Sequence, residues 1–306
     1  MIEVLMALLT QLRYGAEYIA LRLVIGTVRL FPLDMAVRLS AATWRKLAPL
    51  GKRRHQRALD NLAMAFPDKT DAQRELIALD AWSNLGRVMV ETMQIDRILN
   101  QPERIEVLNP EVLERYRNKM GPLICCSLHT GNWELATWPL VVADIESAAV
   151  YRLVSNPYVD AYLRKQRARL YPAGMFSRGA GLIKQYAGHN TARQIGSLLR
   201  QGGRIGMLAD LYDRRGIEVP FFGHPASSSK FAAMLARRLG CRIWMGRCIR
   251  VDNQSRFKVE VKELQVPFTD DKDADIHTIT ALMQHQFEDW IREYPEQWMW
   301  SNRKWS

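Results

Sequence analysis

The chain has 306 residues, 48% of them hydrophobic and 25% charged; this excludes general disorder and supplies the apolar surface for a sizeable core, in one large domain or two small ones. Its 43 Lys and Arg against 32 Asp and Glu give a net charge of +11. That balance favours an anionic partner (phosphorylated lipid, membrane surface, acidic carrier protein or nucleic acid) without choosing among them.

Residues 1–33 are apolar in stretches, interrupted by Arg13, Glu17, Arg22 and Arg29. No charge-free run reaches the ~18 residues of a spanning helix, and no small-residue cleavage site follows. The segment reads as a helical membrane anchor, with the basic Arg45, Lys46 and Lys52–Arg54 near anionic headgroups. The alternative is an N-terminal helix packed on the domain. Residues 34–306 then form the remaining domain. From 35 to 100 the apolar spacing is helical. Strands are predicted at 122–128, 147–152, 204–209, 242–249 and 256–262; the last alternates Phe257, Val259 and Val261 with charges and so has one wet face. Helices are predicted at 157–170, 191–200, 227–239 and 273–294. Strands alternating with helices imply an α/β domain with a mainly parallel central sheet flanked by helices.

The densest chemistry follows the first strand, in His129-Thr-Gly-Asn-Trp-Glu134. An apolar strand running into His-Thr-Gly-Asn predicts a strand-to-helix turn, with Asn132 as N-cap. A histidine on such a turn, with Glu134 swinging back to orient it, is equipped as a general base for an alcohol, which suggests acyl transfer. The spacing alone is weak. His55 and Asp60 also stand five apart, but in a basic helical stretch, where five residues rotate by about 500° and point the two side chains apart; His55 reads as solvated or facing headgroups. Further polar residues fall at predicted strand ends, where open α/β sheets place their sites: Arg152, Arg178 and Asp210. Cys125, Cys126, Cys241 and Cys248 show no metal-ligand spacing or disulfide framework and read as reduced core residues of a cytosolic compartment. No metal is called for.

In this order, His129-Thr-Gly-Asn-Trp-Glu134, Tyr151-Arg-x3-Asn-Pro157, Asp210-x9-Pro-Phe-Phe-Gly223 and Pro295-Glu-Gln-Trp-Met-Trp300 resemble the lipid A late (secondary) acyltransferases, over nearly the whole chain. The upstream stretch from Ala58 to Pro67 is also similar. Leu211 after Asp210, where a polar residue is usual, and Asn302, where histidine is common, are departures. The resemblance implies a glycerol-phosphate-acyltransferase-like α/β fold on the cytoplasmic face of the bacterial inner membrane. It implies an acyl carrier protein thioester as donor and, as acceptor, a 3-hydroxyl on an acyl chain of a Kdo-bearing lipid A precursor. No cofactor is implied beyond the carrier-protein co-substrate.

In the expected mechanism His129, oriented by Glu134, deprotonates the acceptor hydroxyl, which attacks the thioester directly. Backbone N–H groups near Gly131, or Arg152, stabilise the oxyanion. Arg178 binds phosphate or sugar acid, Asn132 is a further candidate substrate-binding residue, and Asp210 and Glu296 hold loops or those arginines in place. Ser127 is a poor nucleophile, lacking a Gly-x-Ser-x-Gly elbow and lying on the same strand as His129. Cys126 is poorer, being buried. Rival readings are a lysophospholipid or glycerol-phosphate acyltransferase and a non-catalytic lipid-binding membrane protein. A nucleic-acid partner is not expected, because the basic residues are dispersed and match no recognised module.

Overall fold

A computed structural model describes residues 2–117, 121–178, 187–252 and 254–305; within these, side chains at 2–4, 115–117, 178 and 187–190 are outside the description. The N-terminal third is helical: α1 (Ile2–Arg29), α2 (Leu33–Leu47), α3 (Lys52–Ala65), α4 (Asp71–Met93) and α5 (Ile95–Leu99). Thr70 opens α4 with a reciprocal capping box to Gln73, which satisfies two N–H groups that a bare helix start leaves open. Then come β1 (Ile105–Leu108), α6 (Glu111–Arg117), β2 (Leu123–Ser127), α7 (Trp138–Val142), β3 (Ala148–Arg152), α8 (Pro157–Arg167), β4 (Met175–Arg178), α9 (Ala187–Arg200) and β5 (Arg204–Leu208). The chain closes with β6 (Tyr212–Phe221), β7 (His224–Ser228), α10 (Phe231–Leu239), β8 (Arg242–Val251), β9 (Arg256–Leu264) and α11 (Lys272–Glu293).

Seven strands form the central sheet in the order β1-β9-β8-β2-β5-β3-β4. Every neighbouring pair is parallel except the β8–β9 hairpin, so the mainly parallel α/β expectation holds. Side chains alternate along β2 between two cores. Ile124, Cys126 and Leu128 pack with α3, α9, α10 and α11, while Leu123 joins a cluster with Leu140 of α7. Helices therefore cover both faces, as parallel strands require. The connections leaving β2 and β5 run in opposite directions along the sheet, to β3 and to β8. Adjacent strands whose exits diverge open a crevice at their carboxyl ends.

The β6–β7 hairpin, absent from the sequence reading, stands off the sheet. Its two-residue turn puts both Phe222 (φ 51°) and Gly223 (φ 76°) in the left-handed region, the type I′ geometry that matches strand twist. Phenylalanine is an unusual occupant; it is held by its N–H to Glu288 (2.6 Å) and by ring contacts with Phe66, Phe221 and Trp300. The helix expected from residue 227 begins at Phe231, because Ser227 and Ser228 complete β7.

Helix α1 is docked on α8 rather than detached. Asn156, the N-cap of α8, donates to the Tyr14 carbonyl and to Glu17, and Tyr18 packs against Tyr158 and Tyr162. Leu5, Leu9, Leu12, Ile19 and Leu23 of α1 are exposed. Among the described residues no helix is long and apolar enough to cross a membrane. His55 departs from the sequence reading. Its ring bridges Glu75 (3.1 Å) and the Trp82 indole N–H (3.1 Å), tying α3 to α4, and its side chain is only 13% exposed.

Candidate active site

The register of β2 and β5 builds the site. Ser127 aligns with Leu208 at the carboxyl ends of these neighbours, and the Ala209 N–H still bonds the Ser127 carbonyl. One step further, two side chains that are distant in sequence meet. Asp210 accepts from the His129 backbone N–H (2.9 Å) and lies 2.8 Å from His129 Nδ1. Its second oxygen also accepts from the Trp298 indole (2.8 Å). Asp210 is fully buried. Burial alone would raise its pKa, but the His129 ring, its two hydrogen bonds and the Trp298 N–H outweigh that and hold the carboxyl below its ordinary value. An ionised acceptor at Nδ1 fixes the proton there, so Nε2 carries the lone pair. Nε2 has no hydrogen-bond partner among the described residues, and the imidazole is 17% exposed.

Glu134 does something other than orient this ring. Both of its oxygens are taken by Arg167 of α8, at 2.7 and 2.5 Å. The turn after His129 does not swing the carboxylate back to Nδ1, because Asp210 already fills that position from the next strand. Burial would lower the pKa of Arg167, but Glu134 more than compensates and it is raised. The pair ties the short 3-10 turn Trp133–Thr137 to α8, the helix that follows β3 and Arg152.

Asn132 is the N-cap, accepting from the Glu134 N–H (3.2 Å). Its amide donates to Glu91 (2.9 Å) and the side chain is fully buried, so it is a strut and not a substrate ligand. Gly131 is required by space. At φ +54° a Cβ would sit 2.0 Å from the Cys248 carbonyl oxygen. Its N–H is donated to the Gln297 carbonyl, which removes it as an oxyanion donor.

Arg152 ends β3 exposed to solvent and without an ion pair among the described residues. Arg178 lies opposite it in the β3–β4 register, with its side chain outside the described part. Glu296 is half-buried in the 3-10 turn Pro295–Gln297 and makes no ion pair among the described residues. The expected grip of Glu296 on a loop or an arginine is therefore not seen there.

The sequence reading missed what lies beneath the turn. Glu91 of α4 is fully buried and pairs bidentately with Arg250 of β8 (2.5 and 2.8 Å); Ser255 and Asn132 also donate to it. The Arg250 Nε donates to Asn84, and the Asn84 amide reaches the carbonyls of Gly131 and Gln297. Gln297 closes the ring with two bonds to the Arg250 backbone. The tail adds a strap. Thr130 bridges to Trp298, and the Met299 N–H bonds the His129 carbonyl. Trp298 and Trp300 are core residues, each 1% exposed, and Asn61 of α3 holds the tail carbonyls of Trp300 and Asn302. Arginines inside a mostly apolar strand, as Arg247 and Arg250 are, were the available signal, since such charges need internal partners.

Neither nucleophile rival has the geometry. Ser127 Oγ is buried with no hydrogen-bond partner among the described residues. Cys126 is fully buried, and burial pushes its thiol well up, away from the reactive thiolate. The other cysteines are also free, and burial pushes their thiol pKa up, to about 12 for Cys125 and Cys248 and about 11 for Cys241. Among the described residues no cluster of His, Cys, Asp and Glu is arranged to hold a metal ion.

A profile of the family described as "Bacterial lipid A biosynthesis acyltransferase" matches residues 6–306. The chain belongs to that family. It is 23% identical over 305 residues to the lipid A biosynthesis myristoyltransferase of Escherichia coli (strain K12), covering 94% of this chain and 86% of the relative. The same figures hold for lipid A biosynthesis acyltransferase 1 of Shigella flexneri. For acyltransferase 2 of Shigella flexneri, 23% identity extends over 173 residues, 55% of this chain and 54% of the relative. Membership in that family makes acyl transfer in lipid A biosynthesis the chemistry of this chain.

Proposed function

We propose that this lipid A acyltransferase moves a fatty acyl group from an acyl carrier protein thioester to the 3-hydroxyl of an acyl chain on a Kdo-bearing lipid A precursor, with no acyl-enzyme. The observation that carries the reading is the 2.8 Å contact between His129 Nδ1 and the buried Asp210 carboxylate. Buried Asp210 occupies Nδ1 and leaves Nε2 as the basic nitrogen. In the step, Nε2 takes the hydroxyl proton as the oxygen attacks the thioester carbonyl. The imidazolium formed faces the ionised Asp210, which stabilises it. When the tetrahedral intermediate collapses, the C–S bond breaks and the leaving thiolate takes the proton back.

Around this centre, Glu134 and Arg167 position the turn against α8. Parallel strands lie about 4.8 Å apart, so Arg152, two strands from β2, suits an anionic oxygen of the acceptor beside the reacting carbon. Arg178, at the same register on β4, is proposed for the same work. The exposed apolar row of α1 and the positive net charge suit a peripheral position on the cytoplasmic face of the inner membrane.

The test incubates purified protein with a tetra-acylated, Kdo-bearing lipid A precursor and a panel of carrier-protein thioesters, with products read by mass spectrometry. One added acyl group is the expected product, and the panel reports its length. Transfer only to lysophospholipid or glycerol phosphate would move the acceptor class and overturn the lipid A reading. Binding without transfer to any acceptor would leave a lipid-binding protein.

A further inference from the structure

Away from the His129 turn, a groove of about 650 Å³ runs between α1 and α8. Its walls include Tyr18, Arg22 and Arg29 from α1 and Tyr158, Tyr162 and Lys165 from α8. Arg29 is neutralised, gripping Asp96 with two 2.7 Å bonds. Arg22 is not neutralised. It donates to the Tyr18 hydroxyl (3.1 Å), and its guanidinium stands over the Tyr162 and Tyr18 rings at 5.1 and 5.9 Å, with no carboxylate partner among the described residues. Lys165 is exposed and likewise without one. The groove thus presents two uncompensated cations among three phenol hydroxyls, with Asp96, already paired, its only acidic lining residue.

A guanidinium held in place by aromatic rings gives up little freedom when it binds an oxyanion. The position of the groove narrows the class of ligand. On an ideal helix Leu12, Ile19 and Leu23 share one stripe, about 80° around α1 from Arg22, and all three are exposed. The mouth of the groove is therefore bordered by apolar surface along one side, with buried Ile25 on its wall. Tyrosine and arginine beside an apolar row match the chemistry of the membrane interface.

The geometry points to a second lipid site: the α1–α8 groove binds the phosphate of an anionic membrane lipid, with Arg22 and Lys165 as its ligands and the outer face of α1 in the acyl layer. The inference rests on the membrane-surface reading above and adds a headgroup-selective contact to it. The site would hold α1 at a fixed depth, and through α8 would set the height of the Glu134–Arg167 pair and of the His129 turn above the bilayer.

The test is co-sedimentation of the full chain with vesicles of phosphatidylcholine alone and of phosphatidylcholine mixed with phosphatidylglycerol. It compares wild type, Arg22→Gln/Lys165→Gln, Arg22→Lys, and the charge-matched control Arg238→Gln/Lys272→Gln, exposed on α10 and at the start of α11. Circular dichroism verifies folding. The groove variant is expected to lose roughly thirtyfold in affinity for the mixed vesicles, about fivefold per cation, with little change on neutral ones. Arg22→Lys should lose less than Arg22→Gln/Lys165→Gln, and the Arg238/Lys272 control, outside the basic α3 segment, should stay within about threefold of wild type.

Equal losses in the groove variant and the control would mean diffuse attraction and overturn the site. Wild type bound equally to both vesicle types would overturn it while leaving the membrane reading standing; failure on both would remove that reading itself. Binding of inorganic phosphate alone as tightly as the mixed vesicles would assign the groove to the free ion and overturn the lipid assignment. A defect confined to the carrier-protein donor, with vesicle binding intact, would overturn it in favour of a protein partner.

Discussion

Replacing Asp210 by asparagine separates the two acids that the motif brings to mind. Asp210 accepts three hydrogen bonds, from the His129 N–H, His129 Nδ1 and the Trp298 indole, and is fully buried. Asparagine keeps the volume, and its one oxygen can keep the backbone and indole bonds, but the amide nitrogen then faces Nδ1 as a donor. The ring must turn its lone pair to Nδ1 and carry its proton on Nε2, where it cannot act as a base. Losing general-base catalysis costs on the order of 10² to 10⁴ in turnover. Trading a charged acceptor for a neutral one costs about 1.5–3 kcal/mol of stability. Asp210→Asn should therefore fold, with a modestly lower urea midpoint, and transfer acyl groups at least a hundredfold more slowly at saturating acceptor. Turnover by mass spectrometry and urea unfolding by circular dichroism measure the two effects. A folded Asp210→Asn with near-wild-type turnover, beside a dead Glu134→Gln, would refute the assignment of Asp210 as the orienting acid.

Three further expectations follow from the geometry. Glu91→Ala strands Arg250 as an uncompensated buried charge and should cost about 3–5 kcal/mol; an unchanged urea midpoint would show that the network does not hold the turn. Gly131→Ala must displace the Cys248 carbonyl and, in whatever folded fraction remains, should abolish transfer, read from specific activity after size exclusion. Burial lowers the Lys304 pKa to about 7, so between there and its ordinary 10.5 the unfolded chain holds a proton that the folded chain has lost, and stability rises with pH across that window. Below pH 7 both states are protonated and this contribution is flat. Lys304→Met should flatten the rise by at most about 1.4 kcal/mol per pH unit; parallel stability curves for variant and wild type between pH 7 and 9 would contradict the shift.

What could be read from the chain follows from how local each signal is. The strands at β2, β3, β5 and β8 were legible as apolar runs, and β9 as an alternation of apolar and charged residues. The four-residue β1 and β4 were too short, and the hairpin was hidden by Asp213, Arg214 and Arg215 and by Pro220 and Pro225. The turn at His129 was legible because the histidine, glycine and N-cap sit within four residues. Its partner was not, because Asp210 reaches it only through the register of two strands 81 residues apart. Glu134 stood nearer in sequence and drew the orienting role by proximity. Glu91 carries no signal of its own in the sequence; only the structure shows that, from α4, it answers Arg250 of β8. His55 was misread for the same reason, its two partners lying on α4.

The most direct test of the central claim compares wild type and His129→Ala in acyl transfer from a carrier-protein thioester to the Kdo-bearing lipid A precursor, at matched folded concentration. With Nε2 as the base, the variant should stay folded, since Asp210 keeps its Trp298 and backbone bonds, while turnover falls on the order of 10² to 10⁴. Turnover within a few-fold of wild type would contradict it and place the base elsewhere on the sheet edge.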